Sequence, residues 1–219
     1  MAELDTKAAL VAAVEDWLVR PDLAARIPTF IRLFEAHFNR ESRWLKETYT
    51  IKNAGTPLTV DDTPFVLPEP IHRPLAVWSL STPNFGELEI LTVQEWRKLL
   101  QQHGNAAGTP TKAVVSFDSS TARPYLTLYP APSGDWDIDI DYVTKVTPLD
   151  EDDDTNPVLL EHPDAYLYGT LAEAAPYIQH DDRLAMWVER RDQIIKRMNF
   201  QREEIERGAR PMRVNLKRF

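Results

Sequence analysis

Residues 135–142 run Asp-Trp-Asp-Ile-Asp-Ile-Asp-Tyr. A strict period of two permits one backbone conformation. It is an extended strand with Trp136, Ile138, Ile140 and Tyr142 on one face and Asp135, Asp137, Asp139 and Asp141 on the other. The first face needs cover, so the chain must build a sheet with an interior. On the second face, neighbouring carboxylates lie about 6.5–7 Å apart and repel mildly in water. Two readings of this acidic row stand side by side. It is the solvated side of a half-buried strand, or it faces cations, a basic neighbour or a DNA channel. A calcium loop does not fit, because Ile140 replaces the required glycine and Val146 the required glutamate.

Both ends of the chain carry a helical period instead. Leu10, Val11, Val14, Trp17 and Leu18 predict a helix over 5–19, with Asp5 or Thr6 as N-cap and Pro21 as stop. Ile27, Phe30, Ile31, Phe34 and Phe38 predict a second, with Pro28 in its first turn and Arg32, Glu35 and Asn39 off the stripe. Near the other end, Leu167, Leu171, Ala174 and Ile178 form one stripe that begins by Pro163 and kinks or ends at Pro176. A last helix, capped by Asp181 or Asp182, is striped by Leu184, Trp187, Val188, Arg191, Ile194, Ile195, Met198 and Ile205. Continuous to Arg207, it would be about 39 Å long.

The middle differs. Prolines number 17 against 7 glycines, and they cluster at 57–83 and 110–148, which suits turns and edge strands. Strands are expected at 49–51, 75–80, 114–117 and 125–128, with one short helix near 92–102 opened by a Thr92–Glu95 capping box. Residues 149–157 read as an acidic surface loop or linker. The fold class is therefore α+β: a helical bundle from N- and C-terminal helices, an inserted β-rich lobe and an extended C-terminal tail. The divisions fall at 1–43 and 149–207 for the bundle helices, 44–148 for the insertion and 208–219 for the tail. Each helix has one apolar stripe, and the stripes at the two ends of the chain supply each other's partners.

Chemistry-bearing motifs are missing. The chain has no Walker A loop, no Gly-x-Gly-x-x-Gly, no Gly-x-Ser-x-Gly elbow and no His-Glu-x-x-His helix. With no cysteine, disulfides, zinc–thiolate sites and a cysteine nucleophile are excluded. His37, His72, His103, His162 and His180 lie far apart and read as surface or capping residues. Trp17, Trp136 and Trp187 fall on apolar stripes, so core packing explains them better than sugar stacking. No catalytic residue, cofactor or metal is expected. A net charge of −9 argues against broad nucleic-acid binding. No apolar run approaches the roughly 20 residues that cross a bilayer, and Met-Ala-Glu-Leu-Asp does not open a signal peptide.

The tail reverses the charge. Arg207, Arg210, Arg213, Lys217 and Arg218 alternate with Met212, Val214, Leu216 and Phe219, without an acidic residue after Arg207. Gly208 and Pro211 stop the helix before it. Such an end is disordered, contacts nucleic acid, or folds on a partner; the apolar groups favour a protein groove.

Two segments resemble tailed-phage head–tail adaptor proteins, also called head completion or connector proteins. One is Asp16-Trp17-Leu18 with Arg26-Ile27-Pro28-Thr29-Phe30-Ile31-Arg32-Leu33-Phe34-Glu35-Ala36 and Phe38-Asn39-Arg40. The other runs from His162-Pro163-Asp164-Ala165-Tyr166-Leu167-Tyr168-Gly169 through Glu173-Ala174-Ala175-Pro176-Tyr177-Ile178 to Asp181-Asp182-Arg183-Leu184 and Trp187. The resemblance implies a non-enzymatic virion protein, assembled in the host cytoplasm, in a ring that is usually dodecameric. The ring would sit beneath the portal protein, with its basic tail on the portal and a tail or nozzle protein at its other end. Phage DNA would pass through the lumen without sequence-specific contact, and no membrane is involved. Another neck component, such as a stopper or tail terminator, and a carbohydrate-active enzyme or binder are the alternatives. Gly169 costs a helix about 1 kcal/mol relative to alanine. Close approach of another helix, or plain tolerance, accounts for that. Tyr166 and Tyr168 leave the main stripe and serve either a neighbouring subunit or the β lobe.

Overall fold

The computed structural model of the chain describes residues 4–51, 65–67, 71–80, 85–118, 123–133, 136–178 and 183–207. Its helices are α1 (Lys7–Leu18), α2 (Ile27–Glu41), α3 (Val93–His103), α4 (Pro157–Glu161), α5 (Pro163–Glu173) and α6 (Leu184–Arg207). Its strands are β1 (Lys46–Ile51), β2 (Phe65–Val66), β3 (Ile71–Ser79), β4 (Gly86–Glu87), β5 (Glu89–Leu91), β6 (Ala107–Gly108), β7 (Lys112–Asp118), β8 (Arg123–Tyr129), β9 (Ala131–Pro132) and β10 (Ile138–Thr144). Met1–Trp44 and Val146–Phe219 form one compact unit, and Leu45–Lys145 forms a second.

In the helical unit α5 is the central rod, packed on α1, α2, α4 and α6. A helix touched on so many sides cannot keep a polar face. Ala165, Tyr166, Leu167, Gly169, Thr170, Leu171 and Ala172 are accordingly all buried. Pro176 ends it: the helix stops at Glu173 and a 3₁₀ turn, Ala175–Tyr177, follows. The α2 stripe is buried as its spacing requires, and Ile27, Phe30, Ile31 and Phe34 are wholly enclosed. Along α6, which is continuous, Trp187, Ile195 and Met198 are buried. Met198 is the last buried residue of the stripe among the described residues, and Ile205, expected to share it, is exposed. The caps proposed at Asp181 or Asp182 lie outside the described residues.

Thr6 caps α1, accepting from the Ala9 N–H at 3.3 Å. The next two amides, Lys7 and Ala8, donate to the carbonyls of Asp154 and Asp152, each at 3.0 Å. The acidic segment 149–156 is thus an ordered loop that closes the N-terminus of α1. The other end of α1 stops at Val19, whose φ of 53° and ψ of 34° are left-handed. A β-branched residue is strained there by about 1–2 kcal/mol, and its side chain is exposed. Val19→Gly is expected to stabilise the helical unit by about 1 kcal/mol in urea unfolding, after glycine's extra freedom in the unfolded chain is subtracted.

The second unit holds two four-stranded sheets, in the orders β1-β10-β3-β4 and β2-β8-β7-β5, and a small parallel pair, β6-β9. One apolar cluster draws on both larger sheets: Ile51, Val77, Trp136, Ile138, Ile140 and Tyr142 with Ala113, Leu126 and Leu128. The alternating segment, expected as a strand over 135–142, enters the central strand β10 only at Ile138, two residues after Trp136, yet all four of its apolar side chains lie in that cluster. Pro74 is accommodated by a slip of register in β3, where Asp141 faces Ala76 and Tyr142 faces Pro74, leaving Leu75 as the extra residue of a bulge. The capping box of α3 forms as the spacing predicts, with Thr92 Oγ1 accepting from the Glu95 N–H and Glu95 Oε2 from the Thr92 N–H.

Candidate assembly surfaces

A buried polar knot locks the helical unit and decides which faces it presents. Glu35 Oε1 on α2 accepts the Leu149 N–H and the Tyr166 hydroxyl, both at 3.1 Å. Tyr166 in turn accepts from Asn156 Nδ2 at 2.6 Å, and the same amide nitrogen donates to the Thr147 carbonyl at 2.8 Å. Asn156 Oδ1 caps α4 through the Leu159 N–H. Nearby, Asn39 Oδ1 accepts the Val146 N–H. Glu35 and Asn39, off the apolar stripe of α2, are the hooks that hold residues 146–156. Burial pushes the Glu35 carboxyl above its ordinary range, against the opposing effect of the two hydrogen bonds it accepts. Burial and the Glu35 charge likewise raise the Tyr166 hydroxyl.

This knot moves two residues away from any neighbour. Tyr166, proposed from sequence for a neighbouring subunit or the β lobe, is enclosed by its own helices, edge-on to Phe34 at 5.1 Å between ring centres. Gly169 is just as internal. A Cβ there would lie under 3.0 Å from three ring carbons of Phe34 on α2. The close approach comes from within the chain. Tyr168 is half-buried, its ring edge-on to Trp17 at 5.8 Å.

The aspartate row is only half exposed. Asp141 accepts from Thr48 Oγ1 at 2.6 Å and from Trp78 Nε1 at 3.1 Å, both on adjacent strands. Asp139 Oδ1 is buried without a hydrogen-bond partner among the described residues. Asp137 and Asp139 share the face, and Asp135 lies outside the described residues. On the other face, Tyr142 donates to Glu47 Oε2 at 2.8 Å, and burial together with that carboxylate pushes its hydroxyl up to about 12.

In the tail, Arg207 is the last residue of α6, while Arg210, Met212, Arg213, Val214, Leu216, Lys217, Arg218 and Phe219 lie outside the described residues. Among the described residues, no group of His, Asp or Glu is placed to hold a metal ion, and no helix is long and apolar enough to cross a membrane. A cavity of about 190 Å³ between α3 and β8 is lined by Trp96, Leu100, Thr127 and Tyr129, with no carboxylate among its lining residues.

One surface escaped the sequence reading. Met186, Arg190, Gln193, Arg197 and Phe200 form an exposed second stripe on α6. Their alternating spacing of four and three residues is visible in the sequence, but the arginines between the apolar residues hide it from a search for apolar periodicity.

The model of the SU10 adaptor protein family matches residues 5–215. No curated protein matches the chain significantly. The match spans both helical ends and the β-rich middle together, and the chain belongs to the SU10 adaptor protein family, a family of phage head–tail adaptors.

Proposed function

We propose that the chain is a non-catalytic ring subunit of the virion neck. It docks under the portal through residues 207–219, receives a tail or nozzle protein at its other end, and lets DNA pass through the lumen. Assembly takes place in the host cytoplasm. The observation that carries this reading is the pair of exposed apolar side chains at the end of α6. Among the described residues Met198 is the last buried one, and Phe200 and Ile205 beyond it are exposed on the final turns. The basic and apolar segment therefore follows, in sequence, a helix end that carries exposed apolar side chains. A segment mixing Arg210, Arg213, Lys217 and Arg218 with Met212, Val214, Leu216 and Phe219 suits a groove on a multimeric protein. In the ring the row of Asp137, Asp139 and Asp141 gives passing DNA a surface it does not stick to.

Deleting residues 208–219 tests the assignment. The truncated chain is expected to keep its unfolding midpoint, since the knot around Glu35 and the α5 core are untouched, and to lose co-purification with the portal protein. Undiminished portal binding would place the contact elsewhere, and binding to tail protein alone would make the chain a stopper or tail terminator.

A further inference from the structure

The exposed stripe of α6 has the composition of a contact surface rather than of a solvated face. Met186 and Phe200 are 44% and 56% exposed, well above the helix's buried side. Between them stand Arg190, Gln193 and Arg197, all exposed. Arg191 of α6 pairs with Glu173 and Asp192, and Arg202 with Glu206, whereas neither Arg190 nor Arg197 has an ionic partner among the described residues. Two unpaired guanidinium groups framed by two large apolar side chains suit a partner that offers carboxylates at a fixed spacing.

The same unit carries such a partner surface. Glu151, Asp152 and Asp153 are exposed at the tip of the loop between β10 and α4. The loop is held in place beneath them. Asp154 Oδ2 accepts the N–H groups of Asp150 and Glu151, each at 2.7 Å, and Asp150 is paired with Arg32. The carbonyls of Asp152 and Asp154 are bound to the start of α1. A tip fixed in this way loses little entropy when it docks. Glu151 and Asp153 have no cationic partner among the described residues, and Asp152 meets only Lys7, at 3.7 Å, with its own side chain 90% exposed.

The loop is fastened on the Glu35 side of α2, while α6 comes near α2 at another face. Glu35 binds the loop through Leu149. His37, two residues on and thus about 200° round the helix, lies close enough to Arg191 of α6 and Glu173 of α5 to feel their charges. Among the described residues neither Arg190 nor Arg197 pairs with the loop of its own chain. Two different, complementary surfaces on one subunit produce a head-to-tail contact, which repeats from copy to copy and closes as a ring when the rotation permits.

We infer that the Met186–Phe200 face of α6 docks on the Glu151–Asp153 tip of a second copy of this chain, with Arg190 and Arg197 meeting the carboxylates. The inference rests on the ring reading above and adds the surfaces through which copies meet.

Because the natural chain contains no cysteine, introduced pairs are its only thiols. In neck particles assembled with portal protein, a chain carrying both Arg197→Cys and Asp153→Cys is expected to give, on mild oxidation, a ladder of covalent species beyond the dimer. Either single variant gives no ladder. Charge reversal supplies the second arm. Arg190→Glu with Arg197→Glu in one chain, and Glu151→Lys with Asp153→Lys in another, should each reduce assembled necks by about tenfold. Mixing the two chains should restore assembly, since every contact is again between opposite charges. Particles that hold several copies but show no ladder and no rescue overturn this interface while leaving the ring intact. Particles that hold one copy overturn the ring itself. Rescue of Arg190→Glu and Arg197→Glu by lower salt in the presence of DNA, without rescue by the loop variant, would assign the stripe to nucleic acid and also overturn the inference.

Discussion

Gly169→Ala is expected to destabilise the helical unit by about 2 kcal/mol, lowering its unfolding midpoint by several degrees. The surface rule points the other way, since alanine is better than glycine in a helix by about 1 kcal/mol. Packing decides the sign. The added methyl would overlap the Phe34 ring, and that ring has nowhere to go. It is fully buried between Tyr166 and Phe38, at 5.1 and 5.9 Å between ring centres. Overpacking at such a site costs roughly 3 kcal/mol, at the upper end of the usual range, which outweighs the gain in propensity. A cycle with Phe34→Leu isolates the cause. The smaller side chain is costly alone, but the double variant should be more stable than the sum of the two single effects predicts. Additive effects would mean that the ring does not set the limit at Gly169.

Glu35→Leu is expected to cost about 3 kcal/mol. Leucine fills the space but strands the Leu149 N–H and the Tyr166 hydroxyl, two donors that Glu35 Oε1 satisfies. Each buried donor left without a partner costs about 1–3 kcal/mol. The loss should be greatest in the 146–156 loop, so its amides should exchange faster in Glu35→Leu than in Val19→Gly. Glu35→Gln keeps the accepting oxygen and separates geometry from charge. Burial raises the Glu35 carboxyl above its unfolded value, so the folded chain holds that proton more tightly than the unfolded chain does. The stability from this group is therefore complete at pH values below the unfolded carboxyl range and declines as pH rises through the raised folded value. Glutamine has no proton to lose there. Plotted against pH, the stability of Glu35→Gln relative to the natural chain should climb across that window and flatten above it. A flat difference throughout would show that Glu35 titrates as it does in the unfolded chain.

Both predictions concern residues whose importance the sequence conveyed poorly, and the reason differs between them. Gly169 stood out as a glycine inside a helix, but close approach and tolerance look alike in one dimension; only the position of Phe34 on α2 separates them. Glu35 did not stand out at all. Its place off the apolar stripe of α2 gave it no role, and what holds it is the 146–156 loop, which follows it by more than a hundred residues. Tyr166, expected at a neighbouring subunit or on the β lobe, is enclosed for the same reason: α5 packs on four other helices, and periodicity along one helix cannot count its neighbours.

Local physics was legible without coordinates. The two-residue alternation placed Trp136, Ile138, Ile140 and Tyr142 in one core, the Thr92–Glu95 spacing specified a cap, and Pro176 ended a helix, because each depends only on dihedral angles and hydrogen bonds within a few residues. The assembly surfaces were not legible in that way. Exposure of Met186, Arg190, Arg197 and Phe200, and the fixing of the acidic loop on α1 and α2, depend on which faces remain uncovered once the helices have packed. Burial is a property of the whole set of neighbours, so the sequence alone determined the long helices, the alternating strand and most of their buried stripes, while tertiary packing decided the short elements and which remaining faces are available to another chain.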